Sequence, residues 1–101
     1  MVKTIWTNRA LTDLENIAEY ISRNSMHYAK LTINNLVDTA QLIENNPQIG
    51  RIVPELQNEI IREIITGSYR IIYELSDQNT VNILTIHHSS RLLSNNPFLE
   101  K

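Results

Sequence analysis

The chain has 101 residues, a net charge of −2 and no cysteine. That length suits a single domain over residues 1–101, with a thin core, because a chain so short buries only about two-thirds of its unfolded surface. The missing thiols exclude a disulfide scaffold and a thiolate metal site, and the evenly spread acidic excess argues against a free-standing nucleic-acid binder, which carries a basic excess as a rule.

In chain order, Val2 to Trp6 alternate β-branched and aromatic types with polar ones and predict a short strand. Asn8 is placed to cap a helix. Leu11, Leu14, Ile17, Ala18 and Ile21 recur at three- and four-residue spacing, with Asp13, Glu15, Glu19 and Arg23 largely between them, so an amphipathic helix is expected from about Arg9 to Asn24. Ser25 caps a second helix, whose apolar stripe is Ala29, Ile33, Leu36, Val37, Ala40 and Ile43. Asn45-Asn46-Pro47 ends it, since proline neither continues a helix nor tolerates one just before it. With so few residues between them, the two helices form an antiparallel hairpin.

After the loop Pro47–Arg51 and the segment Pro54-Glu55-Leu56, three β-rich runs follow: Glu59–Ile65, Tyr69–Leu75 and Val81–His87. Thr66-Gly67-Ser68 and Ser76-Asp77-Gln78-Asn79 are hairpin-type connections, so these strands are antiparallel. Leu92, Leu93 and Phe98, broken by Asn95-Asn96-Pro97, suggest a short helical turn or a frayed end. The expected fold is α+β: an N-terminal strand and a helical hairpin on one face of a small antiparallel sheet, in the order β-α-α-β-β-β. Nothing in the chain is left to cover the other sheet face, where isoleucines of the run 59–65 invite a partner. No run of about 18 apolar residues is available to span a membrane. MVKTIWTNRA lacks the apolar stretch of a signal peptide, so a cytoplasmic location is expected.

Enzyme machinery is sparse. There is no glycine-rich phosphate loop, no metal-ligand spacing and no nucleophile elbow, so neither a metal nor another cofactor is expected. His87 and His88 are adjacent on a strand, point to opposite faces and cannot chelate one ion. Period two puts Tyr69, Ile71 and Tyr73 on one face and Arg70, Ile72 and Glu74 on the other. Arg70 then either meets a phosphate or carboxylate with its planar fork or pairs with Glu74 on a solvated face. His87, His88 and Arg91 cluster near the end of the last strand. Histidine there suits acid–base work near neutral pH, or one of the two hydrogen-bonds a core carbonyl. Arg51 and Arg62 either join Arg70 and Arg91 in one basic patch or are ordinary solvated positions.

The ordered set Ala10-Leu11-x-Asp13-Leu14-x-x-Ile17-x-x-Tyr20-Ile21, Pro47-x-Ile49-Gly50-Arg51, Glu55-Leu56, Ile61-Arg62-Glu63, Tyr69-Arg70-Ile71-x-Tyr73 and Ile83-Leu84-x-Ile86-x-His88-x-x-Arg91 resembles the ParE/RelE superfamily of type II toxin–antitoxin systems, in particular its ParE (plasmid-stabilisation) branch. No single piece is specific; their order across the chain is. The resemblance implies a toxin neutralised by a cognate antitoxin in a hetero-oligomer. Its branches imply different targets. RelE-like members cleave messenger RNA on the ribosome without a metal, and ParE-like members poison DNA gyrase. Arg70 matches the arginine that serves catalysis in RelE-like members, but their two strand lysines fall on Ile61 and Glu63 here.

The weak negative charge also favours a protein target over RNA. The expectation is therefore a ParE-like gyrase inhibitor that catalyses no reaction, with Arg51, Arg62, Arg70, Tyr73, His87, His88 and Arg91 on its target-binding surface. The alternative is a metal-independent ribosome-dependent endoribonuclease, with Arg70 stabilising the transition state and His88 or His87 as acid or base. A third possibility is an inactive toxin whose fold survives as a binding module.

Overall fold

A computed structural model of the chain describes residues 2–77 and 79–89. Strand β1 (Lys3–Trp6) leads into helices α1 (Asn8–Ser22) and α2 (Met26–Asn45). The chain then forms β2 (Arg51–Ile52), β3 (Ile61–Thr66), β4 (Tyr69–Asp77) and β5 (Thr80–His88). All five strands belong to one sheet in the order β1-β5-β4-β3-β2. The expected Leu92–Phe98 turn lies outside the described residues.

The α+β architecture with a helical hairpin is as read from the sequence, but the sheet is mixed. β1 runs parallel to β5, while the β2–β3, β3–β4 and β4–β5 pairs are antiparallel. Short connections fix only consecutive strands. The pairing of the first strand with the last is a long-range crossover, for which turn chemistry carries no signal. The two-residue β2 went unread because so short a strand has no period to detect.

α1 is capped by Thr7, one residue earlier than expected. Its backbone is extended, and its hydroxyl accepts from Ala10 N (3.2 Å) while donating to Ile83 O (2.7 Å). One side chain thus starts the helix and ties it to β5, which Asn8 inside the helix does not do. Ser25 caps α2 as expected, accepting from Tyr28 N at 3.0 Å. α2 ends at Asn45, ahead of Pro47.

The main core lies between the hairpin and the sheet. Ala10, Leu36, Ala40 and Ile43 of the helices meet Ile71, Tyr73, Val81, Ile83 and Ile86. Ile83 and Ile86 both face the helices although they are an odd number of positions apart. The β4–β5 register slips here, with Ile72 opposite Thr85 and Tyr73 opposite Ile83, so Leu84 is the extra residue of a bulge. Leu84 packs on the other side of the sheet with Val53, Leu56, Ile61 and Ile72.

That second cluster corrects the expectation of a bare sheet face. Val53 and Ile72 are both 0% exposed, because the segment after β2 folds back over the sheet. Val53 N donates to Ile61 O, Leu56 N and Gln57 N donate to Val53 O, and Ile61 N donates to Asn58 O. The reversal passes through Gln57 at φ +50°, a left-handed conformation costly for a residue with a Cβ. Ile60 and Ile65 remain exposed beyond the covered area.

Candidate functional site

Arg51, Glu63 and Arg70 collect on the sheet face away from the helices. Arg51 of β2 stands opposite Glu63 of β3, and Arg70 of β4 lies one diagonal step from Glu63, its own partner on β3 being Ile65. Diagonal neighbours on one face are within reach of long side chains. Glu55 reaches the same place from the covering segment.

Every nitrogen of the Arg70 guanidinium is engaged. Nε donates to Glu63 Oε1 at 2.6 Å, and Nη2 is also in contact with that oxygen. Nη1 and Nη2 donate to the two carboxylate oxygens of Glu55 at 3.2 and 3.0 Å. The second oxygen of Glu63 accepts from Arg51 Nε at 2.6 Å. The four side chains differ sharply in exposure: Glu63 is 0% and Arg70 9% exposed, against 46% for Glu55 and 61% for Arg51. The hydrogen bonds from Arg70 hold the Glu55 carboxyl below its ordinary pKa, and those to Glu55 hold the Arg70 guanidinium above its own.

A buried carboxylate between two arginines is stable only because both charges are compensated, and removing one partner from such a group is expensive. Arg70 is therefore neither the solvated Arg70–Glu74 pair nor an unengaged cation. Glu74 instead accepts from Asn82 Nδ2 (3.2 Å). Glu63 was visible in the sequence as a charge between isoleucines. Its partner Glu55 lay in a loop, where no periodicity gives a direction.

The other expected site residues separate. Arg62 projects with Tyr73, its cross-strand partner, and its Nη1 donates to Gly50 O at 2.9 Å; it does not join Arg51 and Arg70. Tyr73, expected on a target-binding surface, is 0% exposed. Its hydroxyl donates to Pro47 O (2.7 Å) and accepts from Gly50 N (2.9 Å), and burial raises its pKa. It therefore fastens the loop 47–50 to the sheet and offers a target no surface.

His87 is the cross-strand partner of Arg70 and shares its face, 6% exposed. His88 is paired with Tyr69 and meets that ring edge-on, with centroids 5.3 Å apart. It lines two surface depressions, one against Asp13, Asn16 and Tyr20 of α1 and one against Tyr28 and Asn35 of α2. The two histidines thus serve different faces. Arg91 lies outside the described residues. Among the described residues, no group of three or more histidines and acidic residues is placed to hold a metal ion, and no helix is long and apolar enough to cross a membrane.

The sheet thus carries the two-helix hairpin on one face and a buried arginine–glutamate network on the other. Residues 4–93 match the family of the ParE toxin of type II toxin–antitoxin system, parDE, and the chain belongs to that family. Toxin RelE2 of Caulobacter vibrioides is 32% identical over 92 residues, covering 91% of this chain and all of that protein. Two solved structures share the fold. One is the chromosomal ParDE system from P. aeruginosa, with a TM-score of 0.70 and 18% identity over 87% of this chain and 96% of that one. The other is the toxin–antitoxin complex RelBE2 from Mycobacterium tuberculosis, with a TM-score of 0.62 and 22% identity over 86% and 96%. The chain is a type II toxin of the ParE/RelE superfamily.

Proposed function

We propose that this toxin acts by binding DNA gyrase and stalling its cleavage complex with DNA, that it cleaves no RNA itself, and that a cognate antitoxin neutralises it. The observation that carries this reading is the Glu63 carboxylate, buried between Arg51 and Arg70. An endoribonuclease of this scaffold needs unspent positive charge where the scissile phosphate gathers charge, and such a group contributes about 10²–10³-fold in rate. Here the central arginine is neutralised from within, and the position where RelE-like members carry a lysine holds that neutralising carboxylate. The net charge of −2 points the same way, since RNA binding draws on a basic surface.

Antitoxin binding is supported by the apolar side chains that the helical hairpin leaves exposed, among them Leu11, Met26, Leu31, Val37 and Leu42. Such a surface fits an amphipathic helix with an extended segment.

Purified toxin added to gyrase and plasmid should inhibit supercoiling and accumulate cleaved DNA. Expression in cells should give filamentation with intact transcripts. Transcripts cut only during translation, with gyrase unaffected, would replace this reading with the endoribonuclease. One observation speaks for that second reading: His87 stands directly across from Arg70, an arrangement open to acid–base chemistry. Absence of any growth effect from soluble toxin would leave the inactive binding module.

A further inference from the structure

The two carboxylates on Arg70 are not equivalent. Glu63 belongs to a strand and its side chain is fully buried, whereas Glu55 is about half exposed and sits on the covering segment. Glu63 takes the Nε edge of the guanidinium, and Glu55 takes the outward pair of nitrogens, oxygen to nitrogen, at 3.0 and 3.2 Å. That outward pair is the fork through which arginine recognises a planar carboxylate bidentately. Glu55 sits between Val53 and Leu56, which pack on the sheet, in a segment that reverses through a left-handed glutamine.

We propose that Glu55 is an intramolecular stand-in, and that Arg70 is a masked site for a carboxylate side chain of a protein partner, which enters by displacing Glu55. The charges favour a singly charged group. With Glu55 swung out, Arg51 and Arg70 face Glu63 alone, leaving one net positive charge; Glu59, on the same segment, is exposed. A carboxylate matches that charge and the planar geometry Glu55 already demonstrates, while a phosphomonoester brings more negative charge than the site can neutralise. The proposal concerns the same arginine as the gyrase reading. It stands whichever partner supplies the acid, and its test uses no gyrase, so failure of either leaves the other standing.

The test is a titration of the ¹⁵N-labelled full chain with the α-amide of N-acetylglutamate, followed at the Arg70 Nε–H resonance. Glu55→Gln keeps the shape and removes the competing charge. It should bind the probe about tenfold or more tighter than the native chain, the scale of one charge-assisted bidentate contact. Glu55→Asp, which keeps the charge but shortens the reach, should fall between them and serves if the glutamine variant loses its dispersed spectrum. Glu59→Gln makes the same change of net charge away from Arg70 and should bind as the native chain does. The proposal is overturned if Glu55→Gln binds no tighter than native, or if Glu59→Gln tightens binding equally. Dimethyl phosphate, a singly charged phosphodiester, outcompeting the carboxylate would also overturn it, in favour of a nucleic-acid phosphate site.

Discussion

At the scale of single residues, two buried groups decide how the sheet is held. Tyr73 spends its hydroxyl on the loop before β2, donating to Pro47 O and accepting from Gly50 N. Tyr73→Phe leaves both backbone groups without that partner, which costs about 1–3 kcal/mol and should appear as a lowered urea midpoint with an unchanged slope. Burial also raises the Tyr73 pKa above its ordinary 10.0. The sign follows directly. The folded state holds the phenol proton more tightly, so the stability this gives is complete below pH about 10 and declines as pH rises toward the folded-state value. In a spectrophotometric titration at high pH, one tyrosine should ionise only as the protein unfolds. If all four tyrosines titrate while circular dichroism stays native, the burial argument is wrong.

Glu63 is the second such group. Glu63→Gln removes the charge that holds Arg51 and Arg70 together, and a buried pair broken on one side loses about 3–5 kcal/mol. Glu55 and solvent beside Arg51 soften this, so the low end is expected. Replacing both partners, with Glu63→Leu and Arg70→Met, should destabilise less than Glu63→Gln alone, because no uncompensated charge remains buried. A double variant clearly less stable than the single one would mean that the network contributes net stability instead of compensating its own burial.

Among the elements, the connection of α1 to β5 is the most concentrated. Thr7 caps α1 and reaches Ile83 O, while Asp13 accepts from Thr85 Oγ1 and from Ile86 N at 3.1 Å. β1 stops opposite Ile83, so α1 takes over the edge of β5 where the strand ends. Thr7→Val keeps the branched shape but loses the cap and the carbonyl contact. It should cost about 1–2 kcal/mol, with α1 amides exchanging faster than those of β4.

The elements also show what a sequence can and cannot say. Both helices were legible because each keeps an apolar stripe over several turns, and the β3–β4–β5 meander because its turns are short and polar. The β1–β5 pairing, the bulge at Leu84 and the cover formed by Val53–Leu56 all depend on contacts between distant residues. The site was half legible for the same reason. Alternation put Arg70 on the sheet face opposite Tyr73, but only the fold shows which face the helices cover and brings Glu55 across to meet Arg70. Tyr73 was expected on a target-binding surface, because nothing in the sequence shows that the helices and the loop before β2 close over it.

For the molecule as a whole, the decisive quantity is how much apolar surface remains uncovered. The hairpin's exposed Leu11, Met26, Leu31, Val37 and Leu42, and the sheet's Ile60 and Ile65, are unusual side chains to leave in water on a domain with so small a core. If they are the antitoxin's surface, the toxin alone is the less stable species, and the antitoxin stabilises it by mass action. At a free antitoxin concentration near one hundred times Kd the gain is about 2.7 kcal/mol. For a domain of this length that corresponds to a rise of roughly 10–20 °C in the thermal midpoint. Differential scanning calorimetry of the toxin with increasing antitoxin should show a midpoint that climbs logarithmically with concentration and no plateau at saturation. Substituting Leu31 and Leu42 by serine should flatten that climb while leaving the midpoint of the isolated toxin nearly unchanged, since surface positions contribute little on their own. A midpoint that ignores the antitoxin at every concentration would mean that the exposed apolar residues serve some other contact.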